Sequence, residues 1–421
     1  MLLLPLLYLA LTGAVAWGVY LFARRCVPVI LAWNLGDTRI TLLAMFVCAV
    51  TPIVTGCAIV FFMIKPIFAR RGRESVAVVH NPAFEPEIGE FIHAVCRALG
   101  APTPWRIEFD CTTNASAGFV GGWTGLLRNR LILRLGLPLA AAVTQRELAG
   151  ILAHEFGHFR QGFGMRLSFL IRQINGWFVR SVYGRDHWDE RLDDAAESQQ
   201  NWVGFFSVFA SLGIMVSRRV LWLVMMVGHG ISAFLLRQME FDADAAEIQL
   251  AGSEAFKTTT IKLTTLDIAR AMVDQQIGEI WHFHHHLPDN LPLVLEQRTP
   301  SLPPAAIAAV DSILGEKNAH WCATHPSPAT RMGRAEAMQS PGQNVSDAPA
   351  RDLFRQFDDL CRGATIGHYH NLGVPSAANC LIPAKLLLSE KPSPPQVAAR
   401  PAASTIPFQF DDAPAVHAAL R

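Results

Sequence analysis

His154-Glu155-Phe156-Gly157-His158 is an HExxH motif. On an α-helix, positions four apart lie one above the other, so His154 and His158 leave the same face and can reach a single metal ion. Glu155 follows about 100° further around the turn, where a carboxylate contacts a metal-bound water without being a ligand itself. That is the position a general base needs. A catalytic zinc site takes three protein ligands and keeps one position for water, so a third ligand must come from elsewhere in the chain.

The flanks of the motif specify a helix. Thr144 followed three residues later by Glu147 is a capping-box pattern, which starts the helix at Gln145. Leu148, Leu152, Phe156 and Phe159 make an apolar stripe, and Ile151, His154 and His158 form a separate row. One face packs while another presents the imidazoles.

Glu240, in Glu240-Phe-Asp-Ala-Asp244, is the best third ligand, with Asp244 one turn on and able to bond the distal nitrogen of a ligand histidine. A second reading stands beside it: carboxylates favour helix starts, and an Ala-rich helix opening here would be acidic for that reason alone.

Composition excludes some classes. With 51% apolar and 17% charged residues the chain departs from an ordinary soluble enzyme, and a net charge of +1 provides no basic stripe for nucleic acid. Eight cysteines without a CxxC signal neither a thiolate zinc site nor a disulfide framework. Residues 1–23 and 40–64 are uncharged runs long enough to cross a bilayer, with residues 24–39 as connector. A small excess of Lys and Arg after the second run places the chain beyond it in the cytoplasm.

Further on, residues 85–99 predict an amphipathic helix ended by Gly100. Residues 105–110, 114–120 and 130–135 predict a small antiparallel sheet around a Gly121-Gly122 turn. Within it Asn114, Ala115, Ser116 and Ala117 are either an edge strand that takes a peptide substrate as an added strand or an ordinary internal strand. Residues 165–182 predict a helix on the membrane surface, and 185–201 an acid-rich loop. Residues 202–216 and 220–236 are two shorter apolar runs separated by Ser217-Arg218-Arg219, read as a tight membrane hairpin or a cavity wall, with His229 as a packing or functional residue. Mixed helices reach residue 280. His282, His284, His285 and His286 then form either a metal site or a surface feature. From Gly333 the composition drifts to Pro, Ala, Ser and Gln, with one helix at 350–361 and a disordered tail from 391.

The order of two apolar N-terminal helices, GAPTPWRIEFD, NASAGF, HEFGH, two apolar runs, EFDAD and HPSPATR resembles the HtpX-type membrane metalloproteases, relatives of the CAAX prenyl protease. The resemblance covers residues 1–331. It implies a gluzincin fold with one Zn2+ on His154, His158 and Glu240, Asp244 behind a histidine, and Glu155 as base. It also implies that His325 and Arg331 of the His-Pro-Ser element approach the site, where His325 would stabilise the oxyanion and Arg331 would anchor the loop through a carboxylate. Phe241 replaces a Tyr-like neighbour, and the tail from Gly333 has no assigned counterpart.

The expected fold is α+β, mainly helical and integral to the membrane, with a zincin-type catalytic domain and about four membrane-associated helices. The expected segments are a transmembrane hairpin (1–68), the first half of the protease domain (69–201), a second hairpin (202–236), the second half (237–332) and a C-terminal extension (333–421). The expected function is a zinc endopeptidase of a bacterial inner membrane that hydrolyses membrane or misfolded proteins in quality control, with membrane proteins or peptides met at the lipid bilayer as substrates. Alternatives are a prenyl-protein processing peptidase and a catalytically silent membrane scaffold or chaperone. An intramembrane site is disfavoured, because Gln145, Arg146, Glu147, Arg160 and Gln161 would be costly in lipid.

Overall fold

The computed structural model describes residues 3–33, 38–68, 76–119, 130–160, 203–317, 325–374 and 377–389. The expectations for residues 121–122, 161–202 and 391–421 lie outside them. The chain forms two compact units, one of Met1–Gly72 with Ser168–Phe234 and one of Arg73–Leu167 with Leu235–Arg421.

In the first unit, helix α1 (Leu3–Leu21) runs through a five-residue π-helical stretch, Phe22–Cys26, into Val27–Leu31. It packs on α2 (Arg39–Phe68). Gly56 allows that approach, because a Cβ there would fall 2.3 Å from Val19 Cγ2. The sequence pattern ends this helix at residue 23, but Arg24 and Arg25 are good helix formers and no Gly or Pro intervenes before Val27. Leu9–Leu31 and Arg39–Phe61 are long and apolar enough to cross a membrane.

The expected second hairpin is absent. Val203–Ala251 is one unbroken helix, and Ser217-Arg218-Arg219 lies inside it. Ser and Arg are compatible with a helix, and neither Gly nor Pro is present among those three residues to turn the chain. Among the described residues two helices are long and apolar enough to cross a membrane, against the expected count of about four.

The second unit is built on a four-stranded sheet in the order β1-β2-β4-β3, from Val78–Val79, Arg106–Asp110, Ala115–Phe119 and Leu131–Gly136. It is mixed, not antiparallel as expected: β2 and β4 run parallel, with Arg106 opposite Ile132, while β3 pairs antiparallel with β4. Composition explains the order. Leu131, Ile132, Leu133 and Leu135 of β4 are all buried, which suits a central strand. The small residues of β3 bury little and fall to the edge.

Helix α3 (Pro86–Leu99) ends as expected at Gly100, which takes a left-handed φ of 64°. Helix α4 (Gln145–Arg160) starts where the capping box sets it: Glu147 N donates to Thr144 Oγ1 (3.2 Å), and Thr144 N donates to Glu147 Oε2 (2.8 Å). The long helix Val203–Ala251 is α5, and α6 (Ser253–His284) follows it directly. Buried Glu147 also accepts from Thr258 Oγ1 and Lys262 Nζ of α6. The mixed helices expected before residue 280 are this single helix. It ends at His285, whose φ of 52° is left-handed, so the histidine run is a helix terminus that leads into the two-residue strand Leu287–Pro288.

Among the described residues, those from 333 to 389 do not form a separate extension. After α7 (Pro328–Met338) the chain passes as a strap over the ends of three helices, α4, α5 and α6: Ser253 N donates to Ser340 O, Gln343 N to Leu250 O, and Gln145 N and Arg146 N to Ala348 O and Ser346 O. The last two bonds satisfy amide groups that the first turn of α4 leaves without helical partners. Helix α8 (Phe357–Asn371) then places Phe357, Cys361, Ala364 and Tyr369 in one core with Ile92, Phe109, Leu133, Leu152 and Phe156. The Pro- and Ser-rich composition conceals this packing.

Candidate metal centre

The apolar stripe of α4 is buried, with Leu148, Leu152 and Phe156 fully enclosed. That orientation leaves His154 and His158 partly buried on a neighbouring face, their rings 5.1 Å apart and nearly perpendicular. The end of α5 crosses this face at close range. Gly157 makes the approach possible, because a Cβ there would lie 3.3 Å from both Ala243 Cα and Ala246 Cβ. Replacing Gly157 by Val is expected to push the helices apart and lower bound zinc well below one per chain in the purified protein, measured by elemental analysis.

The crossing brings Glu240 to the histidines: Oε2 lies 3.4 Å from His154 Nε2 and Oε1 3.7 Å from His158 Nε2. Glu240 lies well inside α5, so the helix-start reading of its carboxylate does not apply. Ligands about 2.1 Å from a tetrahedral zinc ion sit about 3.4 Å from one another, and the observed separations match that spacing. Two neutral nitrogens and one carboxylate are also the donor types zinc takes. Among the described residues, the convergent groups of potential ligands are His154 with His158 and Glu240, and His154 with Asp244 and Glu247. The histidine run at 282–286 contributes to neither.

Asp244 Oδ1 lies 3.1 Å from His154 Nδ1, on the side of the ring away from Glu240. The same carboxylate is held by Arg331, through Nε to Oδ2 at 2.9 Å and Nη2 to Oδ1 at 2.5 Å. Arg331 also lies over the Phe256 ring, 5.4 Å from its centroid. The His-Pro-Ser element explains how Arg331 arrives there. Ser327 caps α7 by accepting from Thr330 N, Pro328 begins the helix, and Arg331 follows one turn in. His325, half-exposed just before the cap, puts Nδ1 3.1 Å from Glu240 Oε2.

The charges reinforce this arrangement. Burial pushes the Glu240 carboxyl up, but His325 and His154 outweigh it and hold its pKa well below the usual range. Burial likewise opposes charge on His154, yet Asp244 and Glu240 raise its pKa to about 10. A metal ion taken up at Nε2 would displace the proton that these carboxylates hold on the imidazole. Asp244, pushed up by burial, is drawn down further by His154 and Arg331.

Glu155 Oε2 accepts a 3.1 Å hydrogen bond from Ala117 N, so this amide of the edge strand faces the motif helix and not β4. Ala115, Ser116 and Ala117 belong to that strand. Asn114 precedes it and turns its side chain onto Ala115 N. Three features are not apparent in the sequence pattern: Gly150 and Gly157 as a contact seam, the strap at 339–349, and Glu247, whose Oε2 lies 3.5 Å from His154 Nδ1. The offsets of Asp244 and Glu247 from Glu240, four and seven residues, are the available signal for the last.

An HExxH helix joined by a glutamate from a second helix defines a gluzincin-type centre. The model of peptidase family M48 matches residues 82–339, more than half of the chain, and the chain belongs to that family. It is 27% identical over 150 residues to the protease HtpX homolog of Methylacidiphilum infernorum, covering 33% of this chain and 44% of that protein. It is 28% identical over 225 residues to protease HtpX of Hahella chejuensis, covering 52% and 69%. Against protease HtpX of Acinetobacter baylyi the aligned part spans 46% of the relative, so the chain spans about half the length of the first curated relatives it matches. The crystal structure of S. mikatae Ste24p aligns with 78% of this chain and 64% of that one, at a TM-score of 0.30 and 15% identity.

Proposed function

We propose that this chain is a membrane-bound zinc endopeptidase that hydrolyses membrane or misfolded proteins, with its catalytic unit on the cytoplasmic side of a bacterial inner membrane. The observation that carries the reading is the convergence of His154, His158 and Glu240 beside a glutamate bonded to the edge strand. The two apolar helices and the HtpX relatives support the membrane setting.

A zinc ion held by these three residues would supply Lewis acidity, acidifying water and polarising a peptide carbonyl. Glu155 takes the proton of the attacking water and delivers it to the leaving amine. An extended peptide laid along β3 adds a strand to the sheet and brings its scissile bond to Glu155. In that pose Ala117 N is released from Glu155 to the substrate backbone. His325 orients the Glu240 carboxylate and donates towards the developing oxyanion. Arg331 holds Asp244, and Asp244 holds His154.

The test is metal removal. Full-length protein in detergent should cleave an unfolded membrane-protein fragment, lose that activity with a zinc chelator and regain it when zinc is restored. Cleavage that persists in zinc-free protein would overturn the proposal.

A further inference from the structure

Behind His154, helix α5 carries two carboxylates. His154 Nδ1 is buried and makes no well-aligned hydrogen bond, but it faces Asp244 Oδ1 at 3.1 Å and Glu247 Oε2 at 3.5 Å. We infer that Glu247 is a positioning residue for His154, a second carboxylate that shares the Nδ1 proton with Asp244 and so fixes the ring for zinc. This rests on the reading of His154 as a zinc ligand.

Asp244 is not available to His154 alone. Both its oxygens are engaged by Arg331, and Oδ1, the atom facing Nδ1, also accepts from Nη2. An oxygen polarised by a guanidinium is a weaker acceptor for the imidazole. Glu247 supplies what that competition removes.

The fold makes a specific place for it. Glu247 is 5% exposed, and burying a carboxylate is costly unless it is paired. Burial disfavours its charge most, His154 and Arg331 attract it, and Asp244 and Glu155 repel it, so the carboxylate is kept there against a net cost. Gly150 of α4 lies against it: a Cβ at that position would stand 3.2 Å from Glu247 Cγ and 2.8 Å from Ala251 Cβ. The motif helix therefore gives up a side chain one turn before His154, where Glu247 enters. The spacing of Glu240, Asp244 and Glu247 along α5 puts all three on the face that meets α4. One carboxylate lies at the Nε2 edge of the ring and two at the Nδ1 edge.

The experiment measures zinc affinity by chelator competition on the full chain in detergent, for wild type, Glu247→Gln and Glu247→Leu, together with melting of each zinc-free protein. Carboxylates behind ligand histidines typically contribute 10–100-fold in metal affinity, and a shared role puts Glu247→Leu near the lower end, about tenfold. Glu247→Gln, which keeps shape and a polar contact without the charge, should fall between it and wild type. The double variant Asp244→Asn with Glu247→Leu should lose more than the product of the single losses, because each carboxylate compensates for the other. Zinc-free Glu247→Leu should melt no lower than wild type, since a purely structural Glu247 would show its effect there. Should Glu247→Leu fail to fold, the near-isosteric Glu247→Gln decides. Variants that bind zinc as tightly as a zinc-binding wild type would overturn the inference while leaving the metal centre intact. A wild type that binds no zinc would overturn the metal centre itself, and the inference with it.

Discussion

Glu155→Gln is expected to leave a folded protein with one bound zinc and to lower the rate of peptide cleavage by about 10²–10⁴-fold, the range a positioned general base contributes. The side chain keeps its size and can still accept from Ala117 N through its amide oxygen, so the edge strand should stay in place. What it cannot do is take a proton from water. Since Glu155 is outside the ligand set, zinc content should match wild type. The comparison is made on purified full chain, with zinc by elemental analysis and cleavage by fragment appearance. A variant that cleaves at the wild-type rate would remove Glu155 from the chemistry.

The largest effect on stability is expected at Arg331. Its guanidinium makes two bonds to Asp244, a carboxylate only 5% exposed at its side chain, while Arg331 itself keeps 24% of its side-chain exposure. Burial works against the Arg331 charge, but the attraction of Asp244 outweighs it and raises its pKa. Removing one partner of a buried pair leaves the other charge uncompensated, which typically costs 3–5 kcal/mol. Partial exposure places Arg331→Met at the lower end, about 3 kcal/mol, read from denaturant unfolding of the detergent-solubilised protein. Arg331→Met combined with Asp244→Asn should recover part of that loss, because the second change removes the stranded charge. Unfolding of Arg331→Met at the wild-type midpoint would contradict the pairing.

Local rules make much of the site legible. Thr144 and Glu147 set the start of α4, and Leu148, Leu152 and Phe156 set its buried face, so the orientation of His154 and His158 follows from spacing alone. Gly100 ends α3 for the same kind of reason. Where several elements compete, local pattern is insufficient. The order of β4 and β3 depends on which strand is covered on both faces, a property of the whole sheet. Ser217-Arg218-Arg219 interrupts the hydropathy but not the backbone, and helix continuity there is decided by the absence of a turn residue. The strap at 339–349 has no periodicity because its bonds go to helix ends distant in sequence. Its tight crossing uses Gly252 and Gly342, with φ of 99° and 74°, a pairing visible only once both are placed.

The central claim is that one zinc ion is held by His154, His158 and Glu240. X-ray absorption at the zinc edge, on purified full chain, tests it most directly. The expected spectrum has two imidazole nitrogens and light oxygen donors at about 2.0–2.2 Å, and Glu240→Ala should alter the oxygen shell together with a loss of affinity. A protein that holds no zinc, or a zinc shell with sulfur near about 2.3 Å or one unaffected by Glu240→Ala, would contradict it.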